Sequence, residues 1–263
     1  MRIKNQFLLV LHGIMVFVYC AHAQGKLIHS HNDYEQRLPF YQAYSQQLSS
    51  IEADIFMTDI ADQLLVSHFK EGLSQAPSLE EAYIDPIVSL YQLNNGRAWR
   101  ESDQYFVLLI DLKTPADPTL GILIKKLSLY PEVFDPVVNP LAVRVVISGS
   151  RPPDETFINY PSIISFDGAH FNYTQQQLSR ISMISLNFRL YSRWNGEGNL
   201  PEDDMKKIKE LITASHALGK PIRLWGSPDT PNAWQTFHQM GIDYINTDQP
   251  EACAAFFRGM VNK

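Results

Sequence analysis

Eight short runs rich in aliphatic and β-branched residues recur along this chain, and amphipathic stretches separate them. The runs are KLIHSH (26–31), SIEADIFM (50–57), YFVLLIDLKT (105–114), AVRVVISGS (142–150), SIISFDG (162–168), MISLNFRLYS (183–192), PIRLWGS (221–227) and DYINTD (243–248). Such alternation argues for strand-helix units around a parallel sheet. The clearest helix, 202–219, has acids at its start and Gly219-Lys220-Pro221 at its stop, while 231–241 and 250–260 open on proline and run to a glycine. Eight strands, each followed by a helix, predict an α/β fold of the (β/α)8 TIM-barrel type in a single domain. An open doubly wound sheet is the alternative.

The first residues carry a different signal. Arg2 and Lys4 precede an apolar stretch that ends in Ala21-His22-Ala23, which predicts a secretory signal peptide over residues 1–23 with cleavage before Gln24. The expected location is therefore secreted or periplasmic, and residues 24–263 form the domain. Losing that segment leaves 20 Lys and Arg against 28 Asp and Glu, a net charge of about −8. An acidic chain without basic runs is a poor partner for nucleic acid. It also shows no amphipathic basic helix, so no stable membrane anchor is expected. Cys253 is the one cysteine of the expected mature chain, which excludes a disulfide framework and a cysteine-based zinc site within one chain. Oligomeric state is not legible.

In a barrel of this kind, function collects where strands end. His29 and His31 end the first run, Glu52 and Asp54 lie on the second, and Asp111 and Lys113 on the third. Residues two apart on a strand share a face, so each pair aims both side chains into the barrel mouth. Three converging carboxylates repel one another unless a cation sits among them. Oxygen ligands favour a hard divalent metal, Mg²⁺ or Ca²⁺, over zinc. The alternative is that Glu52 or Asp111 simply pairs with Lys113 or Arg144. His29 and His68, flanking such a metal, supply two imidazoles able to divide proton removal and proton donation. That equipment suits phosphoryl transfer.

His29, Glu52-x-Asp54, His68 after a further fourteen residues, and LLIDLKT with Asp111 and Lys113 together resemble the phosphatidylinositol phospholipase C-like phosphodiesterase superfamily. Within it they resemble the glycerophosphodiester phosphodiesterases, and the tail, with Trp225 and GIDYINTDQP (241–250), is similar to that family's closing strand. The resemblance implies a metal held by Glu52, Asp54 and Asp111, with His29 and His68 as the acid-base pair. Two departures stand out. His29-Ser30-His31-Asn32 replaces the usual His-Arg-Gly, removing an arginine that would grip phosphate, and Asp111 stands where Glu is usual, as in the sphingomyelinase D-type branch. The HSHNDY stretch itself looks like a poorly characterised phospholipase C-like group.

His31 points the same way as His29 and is the other candidate for the first acid-base role; alignment with the family's first histidine favours His29. Asn32 orients a ligand or serves a turn. Lys113 grips a phosphate oxygen or forms an internal salt bridge. Arg144 and Asn187 are further substrate-binding candidates, and Trp225 walls the pocket or packs. Asp248 faces the mouth or caps the helix that opens at Pro250. His170, His216 and His238 are read as ordinary surface or capping residues. The expected activity is metal-dependent hydrolysis of a small-molecule or lipid phosphodiester. A glycoside hydrolase using Glu52 and Asp111, and a non-catalytic binding protein on the same barrel, are the rivals.

Overall fold

The computed structural model describes residues 27–261, so the signal segment expected over 1–23 lies outside the described residues. Nine strands form: β1 (Leu27–Ser30), β2 (Ser50–Met57), β3 (Leu64–Val66), β4 (Val107–Leu112), β5 (Arg144–Gly149), β6 (Ile164–Gly168), β7 (Ile181–Asn187), β8 (Ile222–Trp225) and β9 (Tyr244–Thr247). The order β1-β9-β8-β7-β6-β5-β4-β2 closes through the β1–β2 pairing, giving an eight-stranded parallel barrel. All eight expected strands are present. The ninth, β3, folds back antiparallel on β2 through a turn in which Asp62 takes a left-handed φ of 58°. This hairpin was not expected, because its turn lacks glycine.

The helical layer is uneven. Glu202–Ala217, Pro231–Met240 and Pro250–Val261 match the three clearest helices. After β5 and β6, however, the chain supplies only a 3-10 turn (Asp154–Asn159) and a one-turn helix (Gln175–Leu178) opened by a Thr174–Gln177 capping box. The connections there are too short for a full helix.

Side-chain alternation sorts the strands into two cores. Residues such as Leu108, Ile110, Val145 and Ile147 face the helices and join the large outer cluster. Val107, Leu109, Val146, Met183 and Tyr244 meet inside the barrel as a separate apolar plug. Each buried side chain of this kind contributes about 1.5–3 kcal/mol. The plug occupies the lower barrel, so the inward positions above it are the ones free to be polar.

Candidate active site at the barrel mouth

On β4, the inward alternation Val107, Leu109, Asp111 changes from apolar to charged as the strand rises to its C-terminal end. Asp111 is level with Asp54 of β2, and Glu52 lies one pleat deeper, level with Leu109. One oxygen from each of Glu52, Asp54 and Asp111 lies within 4.8 Å of the other two. Each carboxylate commits one oxygen to a neighbouring cation. Glu52 Oε2 accepts from Arg223 Nη1 at 2.7 Å, Asp54 Oδ2 meets Lys113 Nζ at 2.9 Å, and Asp111 Oδ1 meets the same Nζ at 3.0 Å. Asp54 Oδ1 is buried without a hydrogen-bond partner among the described residues, and Glu52 Oε1 lies 3.8 Å from His31 Nε2.

An orphaned carboxylate oxygen at full burial costs more than about 1–3 kcal/mol, because a charged group is left unsatisfied. Two cations also do not balance three carboxylates. Both facts fit a hard divalent ion held by Glu52, Asp54 and Asp111. The electrostatics of the separate acids differ. Burial raises the Asp111 pKa to about 6 against the pull of Lys113. Burial pushes Glu52 upward as well, but the Arg223 guanidinium and His29 outweigh it and hold the carboxyl well below its ordinary range.

Gly149, the last residue of β5, lets this geometry close. Its φ is +71°, and a Cβ there would overlap Asp111 Oδ1 and lie 2.6 Å from Leu112 O. Only glycine fits so close to the carboxylate in that backbone conformation.

The two candidate first histidines occupy different depths. His29 is fully buried, with Nδ1 2.7 Å from Ser50 Oγ and Nε2 2.9 Å from Glu52 Oε2 and in contact with Arg223 Nη1. Burial and the adjacent guanidinium push its pKa down to about 3. With both nitrogens engaged below the carboxylates, His29 does not fit the expected acid-base role. His31 lies just past the end of β1 and keeps 22% of its side chain exposed. Its Nδ1 is 2.7 Å from Asp248 Oδ1. Burial lowers the His31 pKa, yet the hydrogen bond to Asp248 and the charge of Glu52 outweigh that and raise it.

His68, on the loop after β3, faces the same carboxylates from the other side. Its Nδ1 is 2.9 Å from Asp54 Oδ2. Tyr34, which sequence reasoning missed, places its hydroxyl 2.7 Å from Asp54 Oδ2, 2.9 Å from His68 Nδ1 and 2.8 Å from Asn32 Oδ1. The loop carrying His31, Asn32 and Tyr34 is rooted by buried Asp33, which accepts from Ser30 Oγ, Tyr83 Oη and the Phe40 N–H. Phe40 sits in a tight turn at φ 63° and ψ −58°, a strained conformation that this anchoring holds in place. Arg223 was also missed, although a lone arginine at an inward position of an apolar strand is a legible signal. Asp167 on β6, paired with Arg151 at 3.2 Å, and Asn246 on β9, whose buried Oδ1 is unpartnered among the described residues, complete the polar layer.

Other expected residues are placed elsewhere. Arg144 is the first residue of β5, level with Val107 at the opposite pole of the barrel. Its Nη2 donates to Pro140 O and its guanidinium lies over the Tyr105 ring. This corrects the expectation that Arg144 binds substrate: inward or outward, it starts its strand instead of ending it. Trp225 ends β8 on the mouth side and is 39% exposed. Asn187 accepts from the Arg189 N–H and caps a 3-10 turn. His170 pairs with Asp154, His216 with Asp243, and the His238 ring packs on Phe257, all away from the carboxylates.

A TIM barrel whose mouth gathers three acids, a lysine and two imidazoles has the layout of a phosphodiesterase-type barrel. Residues 19–150 match the AIM6-like phosphodiesterase domain, and residues 221–251 match the glycerophosphoryl diester phosphodiesterase family. The chain belongs to the AIM6-like phosphodiesterase domain family. It is 28% identical over 271 residues to Altered inheritance of mitochondria protein 6 of Eremothecium gossypii, covering 87% of this chain and 69% of that protein. Among solved structures, a glycerophosphodiester phosphodiesterase from Parabacteroides distasonis superposes with a TM-score of 0.57 at 14% identity, covering 90% of this chain and 98% of that one. A tryptophan synthase α-subunit from Pyrococcus furiosus reaches 0.50 at 14% identity, covering 91% and 98%. Likeness of backbone at that identity extends to an enzyme of another kind and defines the barrel alone.

Proposed function

We propose that this protein is a metal-dependent phosphodiesterase that hydrolyses a glycerophosphodiester or a phospholipid-derived phosphodiester, with His31 and His68 as its acid-base pair. The observation that carries the reading is the set of three carboxylates gathered within 4.8 Å, with Asp54 Oδ1 buried and unpartnered among the described residues, and an imidazole beside Glu52 and another beside Asp54. A divalent ion held by Glu52, Asp54 and Asp111 supplies charge neutralisation for the phosphoryl oxygens. Lys113 has two of its three ammonium protons directed at Asp54 and Asp111, which leaves one for a phosphate oxygen.

Asp248 fixes the Nδ1 side of His31, so Nε2 is the atom that moves a proton at the mouth. Asp54 does the same for His68. One imidazole removes a proton from water or from a neighbouring substrate hydroxyl, and the other protonates the departing alkoxide. Attack by water yields a monoester; attack by a substrate hydroxyl yields a cyclic phosphate. The family match favours this chemistry over the glycoside hydrolase rival. Export belongs to the same reading, and amino-terminal sequencing of the protein recovered outside the cytoplasm is expected to begin at Gln24.

Hydrolysis of bis-p-nitrophenyl phosphate with and without EDTA tests the central claim. Turnover that stops on chelation and returns with Mg²⁺ or Ca²⁺ is expected. Turnover indifferent to chelator, or none on any phosphodiester, overturns it.

A further inference from the structure

We propose that Tyr34 is a positioning residue for His68: its hydroxyl holds the Nδ1 edge of that imidazole against Asp54 and turns Nε2 toward the reacting phosphodiester. The inference rests on the phosphodiesterase reading above. His68 needs such support, because it stands on a loop outside the barrel wall with 36% of its side chain exposed. The local ties of the loop are Ser67 N–H to Asp54 O at 3.1 Å and Ser67 Oγ to Phe69 O at 2.7 Å, and neither holds the imidazole itself. A single further contact to Asp54 leaves a half-exposed ring free to leave its rotamer.

Tyr34 adds the missing constraints. A phenol has one proton to donate, and its acceptors are Asp54 Oδ2 at 2.7 Å and Asn32 Oδ1 at 2.8 Å, so the phenol oxygen is left to accept at 2.9 Å from His68 Nδ1–H. Nδ1 is thereby the protonated nitrogen of neutral His68, and the lone pair resides on Nε2. The Tyr34 and His68 rings are nearly parallel, at 20° with centroids 6.4 Å apart, while the Phe69 ring meets His68 edge-on at 4.3 Å. The imidazole is thus held at its Nδ1 edge by the Tyr34 hydroxyl and packed edge-to-face by the Phe69 ring. Tyr34 reaches across from the loop that also carries His31, so one loop braces both imidazoles. Misplacement of a reacting group by about 1 Å costs on the order of a hundredfold in rate.

Tyr34→Phe removes the hydroxyl and keeps the ring. The expected result is a fall in kcat of about ten- to a hundredfold, with KM and Mg²⁺ affinity each within about twofold of wild type. In parallel, ¹⁵N NMR of His68 in the intact protein is expected to show a shifted Nδ1–H resonance, because Asp54 Oδ2 alone is then left to accept that proton. A folded variant with wild-type kcat and unchanged His68 nitrogen shifts overturns the assignment. Wild-type protein lacking all phosphodiesterase turnover sinks the proposed function instead, while the NMR comparison still decides whether Tyr34 holds the His68 Nδ1 edge.

Discussion

His31 Nδ1 and Asp248 Oδ1 lie 2.7 Å apart although 217 positions separate them in the chain. The contact joins the loop after β1 to the end of β9, the two strands whose pairing helps close the barrel. A carboxylate on Nδ1 fixes the tautomer and orientation of an imidazole whose other nitrogen does the chemistry. His31→Ala is therefore expected to lower turnover at least about a hundredfold with the fold intact, and Asp248→Ala about tenfold. His29→Ala is expected to act on stability, because it strips Ser50, Glu52 and Arg223 of a buried partner. Bis-p-nitrophenyl phosphate hydrolysis and thermal unfolding of the three variants separate these outcomes. A His31 variant with near-wild-type turnover shows the assignment to be wrong.

Gly149 yields a prediction of a different kind, since it touches no substrate. Alanine there meets both a left-handed φ of +71° and the Asp111 carboxylate. Gly149→Ala is expected to destabilise the protein by about 1–3 kcal/mol and to displace Asp111 from the carboxylate cluster. Calorimetric titration with Mg²⁺ or Ca²⁺ is expected to show at least a tenfold loss of affinity. Unchanged metal affinity in the folded variant contradicts the role given to this position.

The barrel and the carboxylates were legible for the same reason. Glu52-x-Asp54 and Asp111-x-Lys113 each place charge at a period of two within an apolar strand, which fixes the face without any knowledge of the fold. Depth was not legible. His29 and His31 share one parity, and what separates them is about one pleat repeat of roughly 7 Å along β1. The register of β1 on β2, His29 level with Ser50, sets that depth, and neither strand's sequence encodes it. Arg144 failed similarly: its strand was right, its end of the strand was wrong. Tyr34 sits in a loop brought to the site by tertiary closure, with no local pattern to mark it.

The carboxylates and imidazoles are expected to separate in their effect on metal binding. Asp54→Asn neutralises the acid whose Oδ1 is orphaned and is expected to weaken Mg²⁺ or Ca²⁺ at least tenfold. His68→Ala is expected to leave that affinity within about twofold while abolishing most turnover. Metal at a hundred times its Kd is expected to stabilise wild type by about 2.7 kcal/mol, seen as a higher Tm, and to stabilise Asp54→Asn far less. Histidine variants that lose metal while aspartate variants keep it reverse the assignment.

Buried Asp33 makes the stability of the protein depend on pH. Burial raises its pKa from 3.8 to about 6, against three donors from Phe40, Ser30 and Tyr83. A carboxyl whose folded pKa exceeds its unfolded value contributes stability that is full below the unfolded pKa and is lost as pH rises through the folded one. The window is therefore roughly pH 4 to 6, and the size is about 3 kcal/mol. Asp33→Asn isolates the term, because asparagine keeps an oxygen for Phe40 and Tyr83 while the Ser30 hydroxyl can rotate to accept from its amide. Urea unfolding of both proteins is expected to show wild type gaining about 2.4 kcal/mol on the variant as pH falls from 7 to 4. Parallel stability curves would mean that Asp33 is ionised in the fold at the same pH as in the unfolded chain.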